Sequence, residues 1–210
     1  MYKDLKKNTD FHKNMAEFSY ELKIPKERVA ILIGKNGSVK SKLEEETHTV
    51  LKVDSSEGDV FISGDDAIEL FNAREVIKAM GRGFNPEIAF LLMKGDYVFE
   101  LINLAENVKS KNSMLRLKGR VIGQEGKTRK IIEEMTECHV SVYGKTIGII
   151  GRAENIGIAK QAVMNLIEGS PHSSVYKWLE KKRKEVKFAR FSNDPSQDII
   201  KDKFKKKLDE

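Results

Sequence analysis

The chain of 210 residues has one cysteine, Cys138. A single thiol makes no internal disulfide, and it excludes zinc sites built from sets of cysteines. The four histidines, His12, His48, His139 and His172, show no ligand spacing, so no metal site and no cofactor are expected. No apolar run approaches the ~20 residues that span a bilayer, which excludes a membrane protein. The N-terminal segment MYKDLKKNTDFHKN has neither an apolar core nor a small-residue cleavage site. A reducing, cytoplasmic location is the expectation.

Net charge of the main body is also scarce. The whole chain carries 38 Lys+Arg against 32 Asp+Glu, a formal +6. Residues 177–210 hold twelve of the cations and seven of the carboxylates. Residues 1–176 therefore hold 26 against 25 and are close to neutral. A body without net charge can bind an anionic polymer only through local arrangement.

What the chain does contain is an internal repeat. Ile33-Gly34-Lys35-Asn36-Gly37 returns 89 positions later as Ile122-Gly123-Gln124-Glu125-Gly126. Leu43-Glu44-Glu45 aligns with Ile132-Glu133-Glu134, Thr47 with Thr136, and Val53 with Val142. After a two-residue gap, Ile62 and Gly64 align with Ile149 and Gly151, and Val76 and Met80 with Val163 and Ile167. Agreement of spacing and apolar phase over this length marks two copies of one module.

Each copy reads β-α-α-β-β-α. In the first, alternation predicts a strand over 17–24, with Phe18, Tyr20, Leu22 and Ile24 on one face. Helices follow over 25–33 and 38–47, opened by Pro25 and with Val39 and Leu43 facing inward. Strands over 48–53 and 59–63 and a long helix over 65–80 complete it, with Ile68, Phe71, Val76 and Met80 near a common side. The second copy has strands over 97–104, 139–143 and 147–151, and helices over 113–122, 127–136 and 153–168. Between the copies, Asn85 and Pro86 announce a short apolar helix that packs the modules together. The fold class is α+β, with domains at 15–82 and 96–170, a bridge at 83–95 and a basic helical tail at 173–210.

The two glycine loops carry the functional signal. Glycine lacks a Cβ, so a sugar–phosphate backbone can approach the loop closely. The helix that starts at the loop favours an anion at its N-terminus. Apolar residues beside it can line a groove for bases. Gly126-Lys127-Thr128 is no nucleotide-binding P-loop, because the position of that motif's first glycine is Val121. Cys138 has no placed base and is read as a small, half-buried strand residue. Glu44-Glu45-Glu46 and Glu133-Glu134 are read as solvated helix faces, and no catalytic residue is expected.

Residues 31–47 and 121–136 resemble the core of the KH module, whose Gly-x-x-Gly loop clamps about four nucleotides of single strand. The bridge Arg82-Gly83-Phe84-Asn85-Pro86-Glu87-Ile88-Ala89-Phe90-Leu91-Leu92, the strand Asp96-Tyr97-Val98-Phe99-Glu100-Leu101 and Leu117-Lys118-Gly119-Arg120 add more. Together they resemble the tandem-KH small-subunit ribosome-assembly factors. Those are archaeal relatives of the eukaryotic "partner of Nob" protein, akin also to the Krr-type factors. The resemblance implies two type I KH modules, each a three-stranded sheet covered by helices. It also implies a non-enzymatic, single-stranded RNA-binding protein that acts near the 3′ end of small-subunit ribosomal RNA. The partners it implies are that RNA, a Nob-type endonuclease and the alpha subunit of archaeal initiation factor two.

The expected RNA contacts in the first module are Gly34, Lys35, Asn36, Gly37, Lys40 and Arg28, with Ile31, Ile33 and Val53 lining the groove. In the second they are Gly123, Gln124, Glu125, Gly126, Lys127, Arg129, Lys118 and Arg120, with Val121, Ile122 and Val142 lining it. Glu125 puts a carboxylate where a phosphate should approach. Either Lys127, Arg129, Lys118 and Arg120 compensate, or the second module prefers protein contact or uses RNA differently. Two other classes stay open: a KH-type regulator or exosome-associated protein, and a protein–protein adaptor. Exosome caps normally add a β-barrel, and no run of five strands lies outside the KH copies. In the tail, Trp178, Leu179, Val186 and Phe188 are expected to dock on the second module. Asp194-Pro195 would cap a last helix bearing Ile199, Ile200, Phe204 and Leu208, which with Lys203, Lys205, Lys206 and Lys207 beside it binds RNA or a partner protein, or is disordered alone.

Overall fold

A computed structural model describes residues 18–106 and 110–192. The chain divides into two compact units, one of residues up to Asn103 with Ser141–Ile150, the other of Leu104–Val140 and everything from Gly151. Each copy of the repeat shows the order β-α-α-β-β-α. The first runs β1 (Phe18–Lys23), α1 (Lys26–Ile33), α2 (Ser38–Thr47), β2 (Val50–Val53), β3 (Asp59–Gly64) and α3 (Ala67–Gly81). A short helix α4 (Pro86–Ala89) and a 3-10 turn (Phe90–Met93) follow. The second copy runs β4 (Tyr97–Asn103), α5 (Lys111–Ile122), α6 (Lys127–Thr136), β5 (His139–Tyr143), β6 (Thr146–Arg152) and α7 (Ala153–Ile167). A last helix, α8, spans His172–Ser192. Both copies thus have the element order expected of the module.

The sheets have the orders β1-β3-β2 and β4-β6-β5. In the first, β3 pairs antiparallel with both neighbours, setting Leu22 and Val53 opposite Val60, and Tyr20 and Leu51 opposite Ile62. Leu51, Val60 and Ile62 face a core shared with Val29, Leu32 and Leu43. Asp66 caps α3, its Oδ1 accepting from Ile68 N at 2.7 Å and Glu69 N at 3.2 Å.

The buried face of α3 is Leu70, Ala73, Val76, Ile77 and Met80. Ile68 and Phe71, expected on that side, are 72% and 49% exposed. At about 3.6 residues per turn Ile68 and Phe71 fall on the side of α3 opposite Leu70, Ala73, Ile77 and Met80, so both meet solvent. Phe18 and Tyr20 are also exposed, because β1 is an edge strand. Tyr20 lies under the guanidinium of Arg74, 5.3 Å from the ring centre.

The bridge is packed tightly in the first unit. Phe84 is buried and meets Phe99 edge-on at 6.0 Å. A Cβ on Gly148 would come within 2.7 Å of Phe84 Cε2, so glycine there admits the ring. Asn85 is the N-cap residue of α4, but its side chain makes no capping bond.

In the second unit α8 packs on α6 and α7. Val175 and Leu179 are fully buried, and Trp178, Val186 and Phe188 are half-buried. Positions 15–17 and the expected last helix from Asp194, with Ile199, Ile200, Phe204 and Leu208, lie outside the described residues. Among the described residues no helix is long and apolar enough to cross a membrane.

Candidate nucleic-acid interface

Both glycine loops are built alike. Gly34 ends α1 at φ 74°, ψ 176°, its N–H donating to Ala30 O at 2.9 Å. Gly123 ends α5 at φ 72°, ψ 176°, donating to Gly119 O at 2.8 Å. The loops close as Gly37 N donates to Gly34 O and Gly126 N to Gly123 O, both at 3.3 Å. Between the glycines, Asn36 and Glu125 adopt left-handed conformations. Gly37 and Gly126 then open α2 and α6 in the left-handed region, and neither helix carries a side-chain cap. The first-turn N–H groups of each helix therefore face the loop with no side chain on them, a ready anion site.

The two glycines of each loop do different work. A Cβ on Gly34 would lie 2.8 Å from Val39 N, and one on Gly123 2.8 Å from Thr128 N. At Gly37 and Gly126 a Cβ would meet nothing within 4 Å. The first glycine thus lets the two helices close on one another. The second supplies a positive φ and leaves an open surface.

Lys35, Asn36, Gln124, Glu125 and Lys127 are exposed at the loop tips. Lys40 and Arg129 sit at matching places and each lies 3.8 Å from its own helix's glutamate, Glu44 or Glu133. Those glutamates are not merely solvated. Glu44 accepts from Leu51 N at 2.7 Å and Glu133 from Val140 N at 2.8 Å, tying each second helix to the strand after it. Ile31, Ile33, Val53, Val142 and Lys118 are half-buried, and Ile122 is 37% exposed.

Three expected contact residues are placed elsewhere. Val121 is fully buried, as is its counterpart Leu32, because both lie on the core face of their helices. Neither can line an open groove. Arg28 donates through Nε to Met80 O at 2.8 Å and through Nη2 to Phe84 O at 2.5 Å. Arg120 donates through Nε to Leu166 O at 2.8 Å and through Nη2 to Ser170 O at 2.6 Å. Each guanidinium group is spent on one carbonyl in the last turn of a long helix, Met80 or Leu166, where a cation suits the dipole, and on one carbonyl three residues past the helix end, Phe84 or Ser170. Each closes its own module, tying the helix before the glycine loop to the end of that module's long helix and the segment after it.

Sequence reasoning missed the contribution of α8 to the second loop. Thr128 Oγ1 and Tyr176 Oη lie 2.9 Å apart, and His172 Nε2 is 2.9 Å from Arg120 O. A cleft of about 440 Å³ opens there, lined by Arg116, Gly119, Gly123, Lys127, His172 and Tyr176 among others. Tyr176 lies beyond the repeat, so periodicity gives no hint of it. Cys138 is buried beside Gly151, and burial pushes its thiol up to about 11. Among the described residues no cluster of three metal-ligating side chains occurs.

Residues 19–79 match the KH domain family, and residues 98–184 match a family described as eukaryotic type KH-domain (KH-domain type I). A KH domain-containing protein of Methanocaldococcus jannaschii is 48% identical over 174 residues, 81% of this chain and 76% of that protein. A pre-rRNA-processing protein pno1 of Aspergillus fumigatus is 32% identical over 120 residues, 55% of this chain and 47% of that protein. This chain thus spans about half the length of that eukaryotic relative. A chain in the crystal structure of an a/eIF2alpha–aDim2p–rRNA complex from Pyrococcus horikoshii matches with a TM-score of 0.75 at 44% identity, covering 80% of this chain and 95% of that one. The chain belongs to the tandem-KH family of PNO1- and Dim2-like proteins.

Proposed function

We propose that this protein binds single-stranded small-subunit ribosomal RNA near its 3′ end and acts, without catalysis, in the maturation of that RNA. The observation that carries the reading is the matched geometry of the two loops, each delivering a helix N-terminus without a side-chain cap to an exposed, close-approach backbone. The RNA-facing set is Lys35 and Asn36 in the first module, and Gln124, Lys127, Lys118 and Arg129 around the second. The rRNA complex of the Pyrococcus horikoshii relative supports the RNA class, and its a/eIF2alpha component supports that subunit as a protein partner. A Nob-type endonuclease is the further partner, carried by the family resemblance alone. The setting is the cytoplasm.

The test uses Lys35→Asp with Asn36→Asp. Both side chains are exposed, and aspartate tolerates the left-handed position of Asn36. Affinity for single-stranded RNA falls at least about tenfold while circular dichroism is unchanged, as expected when charge-assisted phosphate contacts are replaced by repulsion. Equal affinity would remove the first loop from the interface. Crosslinking in cells tests the target: sites away from small-subunit rRNA overturn the assembly role.

A further inference from the structure

A second concave surface lies in the first unit, at the end of α1 away from the Gly34–Gly37 loop. It is a cleft of about 480 Å³. Leu22, Ile24, Pro25 and Gly81 line its apolar part. A Cβ on Gly81 would come within 2.8 Å of Ile24 Cγ2, so glycine keeps α3 close to the strand end. The rim is cationic: Lys23, Lys26, Arg74, Lys78 and Arg82. Helix α1 starts in this cleft at Pro25 and carries no side-chain cap, so the positive end of its dipole adds to the rim.

The carboxylates nearby do not cancel this charge. Glu57 lines the cleft and lies 3.3 Å from Lys26. Asp59 lies 3.1 Å from Lys23, and Glu75 lies 3.0 Å from Arg74 and 3.3 Å from Lys78. With Asp54, which also acts on Lys23, four carboxylates stand against five cations and leave a small positive excess.

The repeat supplies an internal control. Lys26 corresponds to Leu115, and Arg74, Lys78 and Arg82 correspond to Gln161, Asn165 and Gly169. In the second copy Leu115 is 70% exposed and Gln161 Nε2 donates to Asn165 Oδ1 at 2.8 Å. The same helices thus form with no cation at any of these four places. Packing of these helices does not demand the charge of the first copy, although Arg74 and Lys78 also lie over the rings of Tyr20 and Phe99.

We infer that this cleft is a second phosphate site, taking the phosphodiester backbone of RNA beyond the nucleotides held at the first loop. The inference rests on the reading of that loop as an RNA site. The eight residues of α1 separate the two places by about 12 Å, so one strand can occupy both. Apolar surface under a ring of cations suits a nucleotide, with phosphate on the rim and sugar or base on the floor.

The test is the full chain carrying Lys26→Gln, Arg74→Gln and Lys78→Asn, the last two being residues the second copy already carries. Two single-stranded oligonucleotides are titrated, one of about four nucleotides, the length a Gly-x-x-Gly loop clamps, and one several times longer. The variant binds the long one about tenfold more weakly and the short one as the wild type does. Its log–log salt slope on the long one falls by about 2, at ~0.7 per phosphate contact. Unchanged affinity and slope on the long oligonucleotide overturn the proposal. So does a variant that loses only polyglutamate binding, which marks a protein site, or only inorganic phosphate binding, which marks an ion site. The Lys35→Asp, Asn36→Asp variant runs in parallel. If it leaves both oligonucleotides unaffected, the loop reading fails on its own, whatever the cleft variant does.

Discussion

Asn36 and Glu125 share one backbone conformation, φ 54°, ψ 30° in the first loop and φ 51°, ψ 27° in the second. The left-handed region suits asparagine and not glutamate, which costs about 1 kcal/mol there. The second loop therefore holds a strained residue whose charge also opposes phosphate. Glu125→Asn relieves both. We expect a small rise in thermal midpoint and about a fivefold gain in single-stranded RNA affinity, since two unit charges at about 4 Å in water interact by ~1 kcal/mol. Fluorescence anisotropy reads the gain. Unchanged affinity would show that RNA does not cross the tip of this loop, and would favour protein contact for the second module.

The glycines predict a graded series. Gly34→Ala and Gly123→Ala force a Cβ against the backbone nitrogen five residues on, as well as a positive φ. Gly37→Ala and Gly126→Ala meet only the positive φ. The second pair costs about 1–2 kcal/mol; the first pair costs more, since helix packing must shift. Urea denaturation ranks them. Equal losses at Gly34 and Gly37 would mean that the loop relaxes freely. This ranking also explains why Lys35 and Asn36, and not Gly34, are the positions for testing RNA binding.

Arg28 and Arg120 supply the third case. Each ties its helix to one carbonyl in the last turn of a long helix and to one just past that helix. Hydrogen bonds from a charged donor contribute about 1.5–3 kcal/mol. Arg28→Lys and Arg120→Lys keep the charge but lose the fork. They lower stability by that order, while the salt slope of RNA binding stays that of the wild type. A changed slope with unchanged stability would return these residues to the RNA surface.

The repeat made much of this legible. Glycine at both loop ends and the proline at the start of α1 are local signals that the structure carries. Apolar phase holds for the strands and for Leu43, Val76 and Met80 but not for Ile68 and Phe71. Long-range hydrogen bonds left no such trace. Glu44 and Glu133 read as members of solvated acidic runs, yet each accepts a strand N–H seven residues on. That bond accompanies a chain reversal through left-handed His48 and Glu137, and glutamate carries no signal for such a reversal. Val121 was misplaced by one position of helical phase. Tyr176 belongs to a helix outside the repeat, so nothing in the second copy announced its bond to Thr128.

Cys138 gives a pH window. Burial raises its thiol from an ordinary value near 9 to about 11. The unfolded chain ionises this thiol near its ordinary value, and the folded chain keeps it neutral. The stability it contributes is therefore full below pH 9 and is lost as pH rises toward about 11. Cys138→Ala flattens that part of the decline, read by denaturant midpoints at a series of alkaline pH values. A parallel decline in the variant would show that other groups govern it.

The charge of the C-terminal region is not spread along it. Residues 177–192 hold seven Lys+Arg and two Asp+Glu, whereas residues 193–210 hold five of each. The excess sits on α8. Some of it is engaged: Arg190 pairs with Glu137 at 3.1 Å and Glu154 at 2.8 Å, and Lys182 with Glu185 at 2.7 Å. Lys177, Lys181 and Lys184 are exposed and recur at helical spacing, so they fall on one side of the helix. The buried Val175 and Leu179 fix that helix on α6, beside the second loop. Truncation after Ser192 is therefore expected to leave the salt slope of RNA binding unchanged. Replacing Lys177, Lys181 and Lys184 by glutamine lowers it by about 2, at ~0.7 per phosphate on a single strand. The opposite result, a slope that falls on truncation and holds in the lysine variant, would move the electrostatic contact from α8 to the residues after it.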